Sequence, residues 1–168
     1  VVHAEEVITM DDKPALVGKN KPGSSMHVGM NLVRDGKAHA FVTAGNTGAA
    51  MTIATLFTLR RIPNVKRPAL SSIIRVVGDR TIIMLDIGAN TDSKPEWLLQ
   101  FAIMGQIYAN KVLGCANPRV ALLANGEEES KGNQLIHESA GLLKEAKCNF
   151  VGNVEPRYLL RGNADVII

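Results

Sequence analysis

The sequence predicts an α/β fold: a three-layer α/β/α arrangement around a mostly parallel sheet, with one antiparallel strand pair near residues 69–85. Three observations lead there. Short apolar runs alternate with longer amphipathic stretches, and most runs end in a polar, glycine-bearing turn; that alternation marks βαβ units, whose right-handed crossovers put helices on both faces of a sheet. The amphipathic stretches repeat at helical steps, as Leu98, Phe101, Gly105, Tyr108 and Val112 do. The 168 residues are 46% hydrophobic and 21% charged, close to globular averages. A chain of this length is expected to form a single α/β domain over residues 1–168.

Val1-Val2-His3 reads as a strand already under way, and Asp165-Val166-Ile167-Ile168 as a strand whose cover should follow. The chain is therefore expected to be the central part of a longer protein. Asp12 to Ser25 is polar and holds Pro14, Pro22 and Gly23, which suits a surface connection with a turn of helix. Ala38 to Ala44 predicts a buried strand, followed by the turn Gly45-Asn46-Thr47-Gly48 and a helix to about Leu59. Ala69–Val77 and Thr81–Leu85 flank Gly78-Asp79, a hairpin signal. After Asp86-Ile87-Gly88-Ala89-Asn90 a helix starts near Pro95, a residue favoured in the first turn. Arg119–Ala124 predicts a third strand, and a helix carrying Leu135, Ile136, Ala140, Leu143 and Ala146 follows the turn 125–132. Asn149–Gly152 predicts a fourth strand and Glu155–Leu160 a short helix.

Several function classes are disfavoured. Cys115 and Cys148 form no CxxC pair, which fits a reducing compartment rather than a disulfide scaffold. No apolar run approaches the ~20 residues of a membrane span. A net charge of +3 suits an anionic substrate or acidic partner. Aromatics at 4% are too few for base-stacking platforms, so no nucleic-acid partner is expected. His3, His27, His39 and His137 lack HxxxH or HExxH spacing, so no metal site is expected. No GxSxG elbow, Walker A loop or GxGxxG fingerprint occurs.

The strand-end turns are the candidate site. Ligands of open α/β sheets sit beyond the carboxyl ends of the strands. Glycine lets backbone approach a ligand, and helix N-termini aim N–H groups at an anion. Gly45, Asn46, Thr47 and Gly48 are phosphate-binding candidates, although a GNTG turn also serves as an ordinary connection. Lys131 is a flexible cation suited to a phosphate or a developing oxyanion, with Ser130 and the Gly132 N–H beside it. The carboxylates Glu127, Glu128 and Glu129 either position Lys131 by an ion pair or complement a helix, with Asn125 and Glu128 as a capping box. Asp86 and Asn90 either orient catalytic groups or tie down their own turn. Lys94 is a further anion candidate. Met51 to Pro68 places Met51, Ile53, Leu56, Phe57 and Leu59 ahead of Arg60, Arg61, Lys66 and Arg67, which fits a membrane surface or a core helix with a basic loop.

The ordered motifs Glu6-Val7-Ile8, Met10-Asp11-Asp12-Lys13-Pro14, Ser24-Ser25-Met26, Ala44-Gly45-Asn46-Thr47-Gly48-Ala49 and Arg67-Pro68-Ala69-Leu70 resemble the PlsX family of phosphate acyltransferases. So do Leu85-Asp86-Ile87-Gly88-Ala89-Asn90, Lys94-Pro95-Glu96, Gly126-Glu127-Glu128-Glu129-Ser130-Lys131-Gly132-Asn133, Gly152-Asn153-Val154-Glu155 and Ala164-Asp165-Val166. The resemblance covers essentially the whole chain and about the middle half of a family chain. It implies a fold similar to phosphate acetyltransferases and isocitrate dehydrogenase-like enzymes. It implies attack of inorganic phosphate on the thioester of a fatty acyl–acyl carrier protein, giving an acyl phosphate. It also implies a cytoplasmic homodimer with peripheral contact at the inner face of the membrane, and neither metal nor organic cofactor. Under this reading Lys131 takes the oxyanion or phosphate charge, Asn46 and Thr47 complete the cradle, and Asp86 and Asn90 orient these groups. The alternatives are a phosphate acetyltransferase-like enzyme using acyl-CoA, an inactive binding or dimerising fragment, and, ranked low, a nicotinamide dehydrogenase.

Overall fold

The apolar runs from Ser71 onward become the strands of one sheet in the computed structural model, which describes residues 1–168. The chain divides into two compact units, Val1–Pro68 and Ala69–Ile168.

The first unit is helical. Pro14 stands at the first position of α1, Pro14–Asn20, where its missing N–H leaves nothing unpaired. Ser24 caps α2, Ser25–Arg34, by accepting the His27 N–H. Asn46 caps α3, Thr47–Thr52, which runs on as a π-helical turn, Ile53–Phe57. Val17, Met26, Met30, Ala49 and Ile53 form the core of this unit. The helix α2 was not legible as such, although Met26 and Met30 sit one turn apart on its buried face.

Two expected strands are absent here. Ala38–Ala44 follows an open path without ladder partners, and Val42 is 90% exposed. A strand needs a neighbour for its N–H and C=O groups. This unit supplies only helices and turns beside the segment, and Phe41 alone packs into the core. Val1 and Val2 are likewise exposed and unladdered; the first bridge is Glu6 with Ser24.

The second unit carries the sheet. β1, Ser71–Val76, pairs antiparallel with β2, Arg80–Leu85, from Ser71 opposite Leu85 to Val76 opposite Arg80. Then follow α4 (Pro95–Lys111), β3 (Arg119–Leu123), α5 (Gln134–Glu145), β4 (Asn149–Val154), a 3-10 helix (Pro156–Arg161) and β5 (Val166–Ile167). The strand order is β1-β2-β5-β3-β4, and every pair except β1–β2 is parallel. The mostly parallel sheet and its antiparallel pair are therefore as predicted.

Alternation along the strands separates two cores. Ile83, Leu85, Val120, Leu122 and Val166 face Leu98, Phe101, Ala102 and Ala109 of α4 and Leu143 of α5. Val76, Ile82, Ala121, Val154 and Ile167 face the other way, against Tyr158 and Leu159 of the 3-10 helix. Fully burying a side chain such as Phe101 contributes about 1.5–3 kcal/mol. Both long helices thus share one face, and within this unit only the 3-10 helix covers the other. Connections β2–α4–β3 and β3–α5–β4 advance across the sheet; the chain then turns back over the opposite face and slots β5 between β2 and β3.

A half-buried ion pair seats β5. Arg119 grips Asp165 with Nε and Nη2, both at 2.9 Å, and donates its backbone N–H to Oδ2 at 2.9 Å. Arg80 stands 3.7 Å from the same carboxylate, which is 17% exposed, and donates to the Gly162 carbonyl. Burial pushes the Asp165 carboxyl upward, but the Arg119 side chain, its N–H and the two positive charges outweigh that and hold it below the usual range. The folded value thus lies below the unfolded value of ~3.9. The stabilisation is complete above that value and is lost as pH falls through the folded one. Thermal midpoints of the parent are expected to drop more steeply between about pH 5 and pH 3 than those of Asp165→Asn. Equal slopes would remove Asp165 as a source of acid sensitivity.

Candidate active site

Parallel strands β2, β5, β3 and β4 end on one edge of the sheet. The turns after β2 and β3 flank the end of β5, two strand spacings or roughly 10 Å apart. Both turns lie beyond carboxyl strand ends, where ligands of open α/β sheets sit.

The turn after β2 is organised by Asp86. Its Oδ1 accepts the backbone N–H groups of Leu70 (2.9 Å), Gly88 (3.2 Å) and Ala89 (2.9 Å). Its Oδ2 accepts the Asn90 backbone N–H and the Asn90 side-chain amide, both at 2.8 Å. Burial pushes this carboxyl upward, but the Ala89 N–H, the Asn90 side chain and the Leu70 and Asn90 N–H groups overcome it and keep the group ionised below its ordinary range. A carboxylate so fully engaged shapes a turn and is a poor proton acceptor. Lys94 follows as the cap residue of α4, and its ammonium lies 5.8 Å from the Trp97 ring centroid.

The turn after β3 carries Lys131. Lys131 N donates to the Glu128 carbonyl at 2.9 Å, closing the turn 128–131. The Lys131 stem crosses Gly126: a Cβ built there would stand 2.5 Å from Lys131 Cγ, so no larger residue fits without moving the lysine. Lys131 and Ser130 are exposed. Glu129 pairs with Lys144 of α5 at 2.9 Å, not with Lys131. The expected Asn125–Glu128 capping box does not form. α5 begins later, at Gln134, and its cap is Asn133, whose Oδ1 accepts the Ile136 N–H at 3.1 Å. Asn125 instead accepts the Gly132 N–H at 2.9 Å, so that N–H is engaged within the turn. A cavity of about 550 Å³ opens beside it, lined by Leu123, Asn125, Gly132, Asn133, Leu135 and Pro156, among others.

The Gly45–Gly48 turn lies in the first unit. Asn46 is 7% exposed. Its Oδ1 accepts the Ala49 N–H at 3.0 Å, and its Nδ2 donates to the carbonyls of Thr9 (3.3 Å), Met10 (3.3 Å) and Asp12 (3.1 Å). Both ends of the amide are thus spent on the fold. A Cβ at Gly48 would stand 2.7 Å from Cγ of the rigid Pro14 ring, so packing favours glycine there, whereas one at Gly45 would meet only the flexible end of Met26, Cε at 2.8 Å. Thr47 remains exposed. No group of three or more His, Cys, Asp or Glu side chains is placed to hold a metal ion. No helix is long and apolar enough to cross a membrane.

The family described as "Fatty acid synthesis protein" matches residues 1–168, the whole chain. The chain belongs to this family. Among its relatives in the fatty acid synthesis family, the Phosphate acyltransferase of Koribacter versatilis is 52% identical over 173 residues, covering 100% of this chain and 48% of the relative. The Phosphate acyltransferase of Heliobacterium modesticaldum is 50% identical over 168 residues, covering 100% of this chain and 50% of the relative. The chain therefore spans about half the length of these family members. Among solved structures, a branched-chain phosphotransacylase from Enterococcus faecalis superposes with a TM-score of 0.56 at 17% identity, covering 93% of this chain and 60% of that one. The EutD phosphotransacetylase from Staphylococcus aureus superposes at 0.55 and 21% identity, covering 85% and 50%. These two likenesses establish the shared α/β/α fold.

Proposed function

We propose that the protein containing this chain is a phosphate acyltransferase: it moves a fatty acyl group from the thioester of acyl carrier protein to inorganic phosphate. The observation that carries this reading is the 52% identity to a Phosphate acyltransferase across the whole chain. A phosphate oxygen attacks the thioester carbonyl, a tetrahedral oxyanion forms, the C–S bond breaks, and the carrier thiolate leaves and takes up a proton. Phosphate is already partly dianionic at neutral pH (second pKa roughly 6–7, by analogy with phosphate esters). The reaction therefore needs positioning and charge stabilisation more than a strong base.

In this reading Lys131 supplies the positive charge and Ser130 a neighbouring hydroxyl. Asp86 and Asn90 keep the adjacent strand-end turn in shape, and Lys94 stands at the start of the next helix. Thr47 is the member of the Gly45–Gly48 turn with an uncommitted exposed position, and Asn46 serves that turn as its cap. The same reading makes the protein a cytoplasmic homodimer with peripheral contact at the inner face of the membrane. The exposed Leu56, Phe57, Leu59 and Ile62 beside Arg60 and Arg61 support such contact.

The test is phosphate-dependent acyl phosphate formation, trapped as hydroxamate, by the full-length protein. Formation from acyl–acyl carrier protein is expected. Formation from acyl-CoA alone would move the assignment to a phosphate acetyltransferase-like enzyme. No product with either donor, from folded protein, would overturn the acyltransferase reading.

A further inference from the structure

We infer that Asn153 is a positioning residue: it fixes the backbone turn that carries Lys131 and so sets where that ammonium acts. The inference rests on the role given to Lys131 above. Asn153 lies on β4 and donates from one amide nitrogen to two carbonyls of the turn, Glu128 at 3.2 Å and Lys131 at 3.5 Å. The turn is held on its other sides by Asn125 at Gly132 and by Lys144 at Glu129. Only Asn153 holds the carbonyl of Lys131 itself.

The strand is built to aim this side chain. Val120 lies opposite Phe150 and Leu122 opposite Asn153, so β4 spends one more residue than β3 over the same span. Gly152, with φ at 100°, sits within that bulge. Side chains alternate along a strand, so an added residue reverses which face the later ones take. Phe150 packs with the α4–α5 face, and Val154 packs on the opposite face. A regular strand puts residues 150, 152 and 154 on one face. The bulge instead turns Val154 to the far side and Asn153 to the α5 side, where the Glu128–Lys131 turn lies.

The test is a double-mutant cycle in the full-length enzyme, read as phosphate-dependent acyl hydroxamate formation. Asn153→Ala is expected to lower kcat about tenfold with little change in thermal midpoint. Asn153→Asp keeps the shape but loses the N–H donors, and is expected to lose at least as much. In a Lys131→Ala background, adding Asn153→Ala is expected to change kcat by less than about twofold, because the two residues act as one unit. A purely structural role predicts the same loss in both backgrounds, and that additive result would overturn the inference. So would an Asn153→Ala enzyme within about twofold of the parent while Lys131→Ala is crippled. A Lys131→Ala enzyme with parental turnover removes the role of Lys131 and the inference together, and is read separately from the other outcomes.

Discussion

Lys131→Ala is expected to lower turnover of the full-length enzyme about 100- to 1000-fold, the usual loss when one donor to a developing oxyanion is removed. Its stability is expected to stay within about 0.5 kcal/mol of the parent, because the residue is exposed and its side chain supports no core. The argument rests on what surrounds the ammonium. Three carboxylates precede it in sequence, yet Glu129 is drawn away to Lys144. The stem lies across Gly126, which gives the side chain a defined path from the turn. Steady-state kinetics separate the two charges Lys131 can serve. A fall in kcat with little change in KM for phosphate marks oxyanion stabilisation, and a rise in KM alone marks ground-state phosphate binding. Turnover within about threefold of the parent, a barrier change below ~1 kcal/mol, would remove Lys131 from the chemistry.

The sheet was legible because its signals are local. Continuous apolar runs such as Arg119–Ala124 belong to strands buried on both faces, the Gly78-Asp79 pair marks a hairpin, and Pro95 marks a helix start. Ala38–Ala44 carries the same apolar signal without the partner that makes a strand, and partners are decided by distant chain. α2 begins where the proline- and glycine-bearing stretch Asp12–Ser25 ends, and its cap Ser24 is one residue type among many that also make turns. In the candidate site, Lys131 is singled out by its residue type, and its role is the one proposed above. The state of Asp86 was not legible, since one of its donors is the N–H of Leu70, brought in by the β1–β2 pairing. Asn153 was hidden for a stricter reason. Its direction depends on a register shift against β3, and a one-residue change in register sends a side chain to the other face.

Asp86→Ala is expected to destabilise the second unit by about 3 kcal/mol, with the loss concentrated in the turn and the start of β1. Hydrogen bonds to a charged group contribute roughly 1.5–3 kcal/mol each, and removal of their shared acceptor leaves the donors to whatever water can reach them. Because the turn is partly exposed, water recovers a good part of the sum, which keeps the expectation well below the simple total of five bonds. Asp86→Asn separates the two oxygens. In one amide orientation its oxygen still accepts from Leu70, Gly88 and Ala89, while its NH2 is set against the two donors of Asn90. An intermediate loss follows. Acid gives the same result without mutation: the carboxyl is held below its ordinary range, so its contribution persists above the unfolded value of ~3.9 and fades as pH falls through the folded one. Hydrogen exchange at the amides of Leu70, Ala89 and Asn90 reads the effect directly. Protection there should fall with acid in the parent and stay flat in Asp86→Asn. Activity is expected to decline in both variants without loss of a base-dependent limb from the pH–rate profile. A lost limb with intact amide protection would instead make Asp86 a proton acceptor in the reaction and displace the turn-shaping role argued for it.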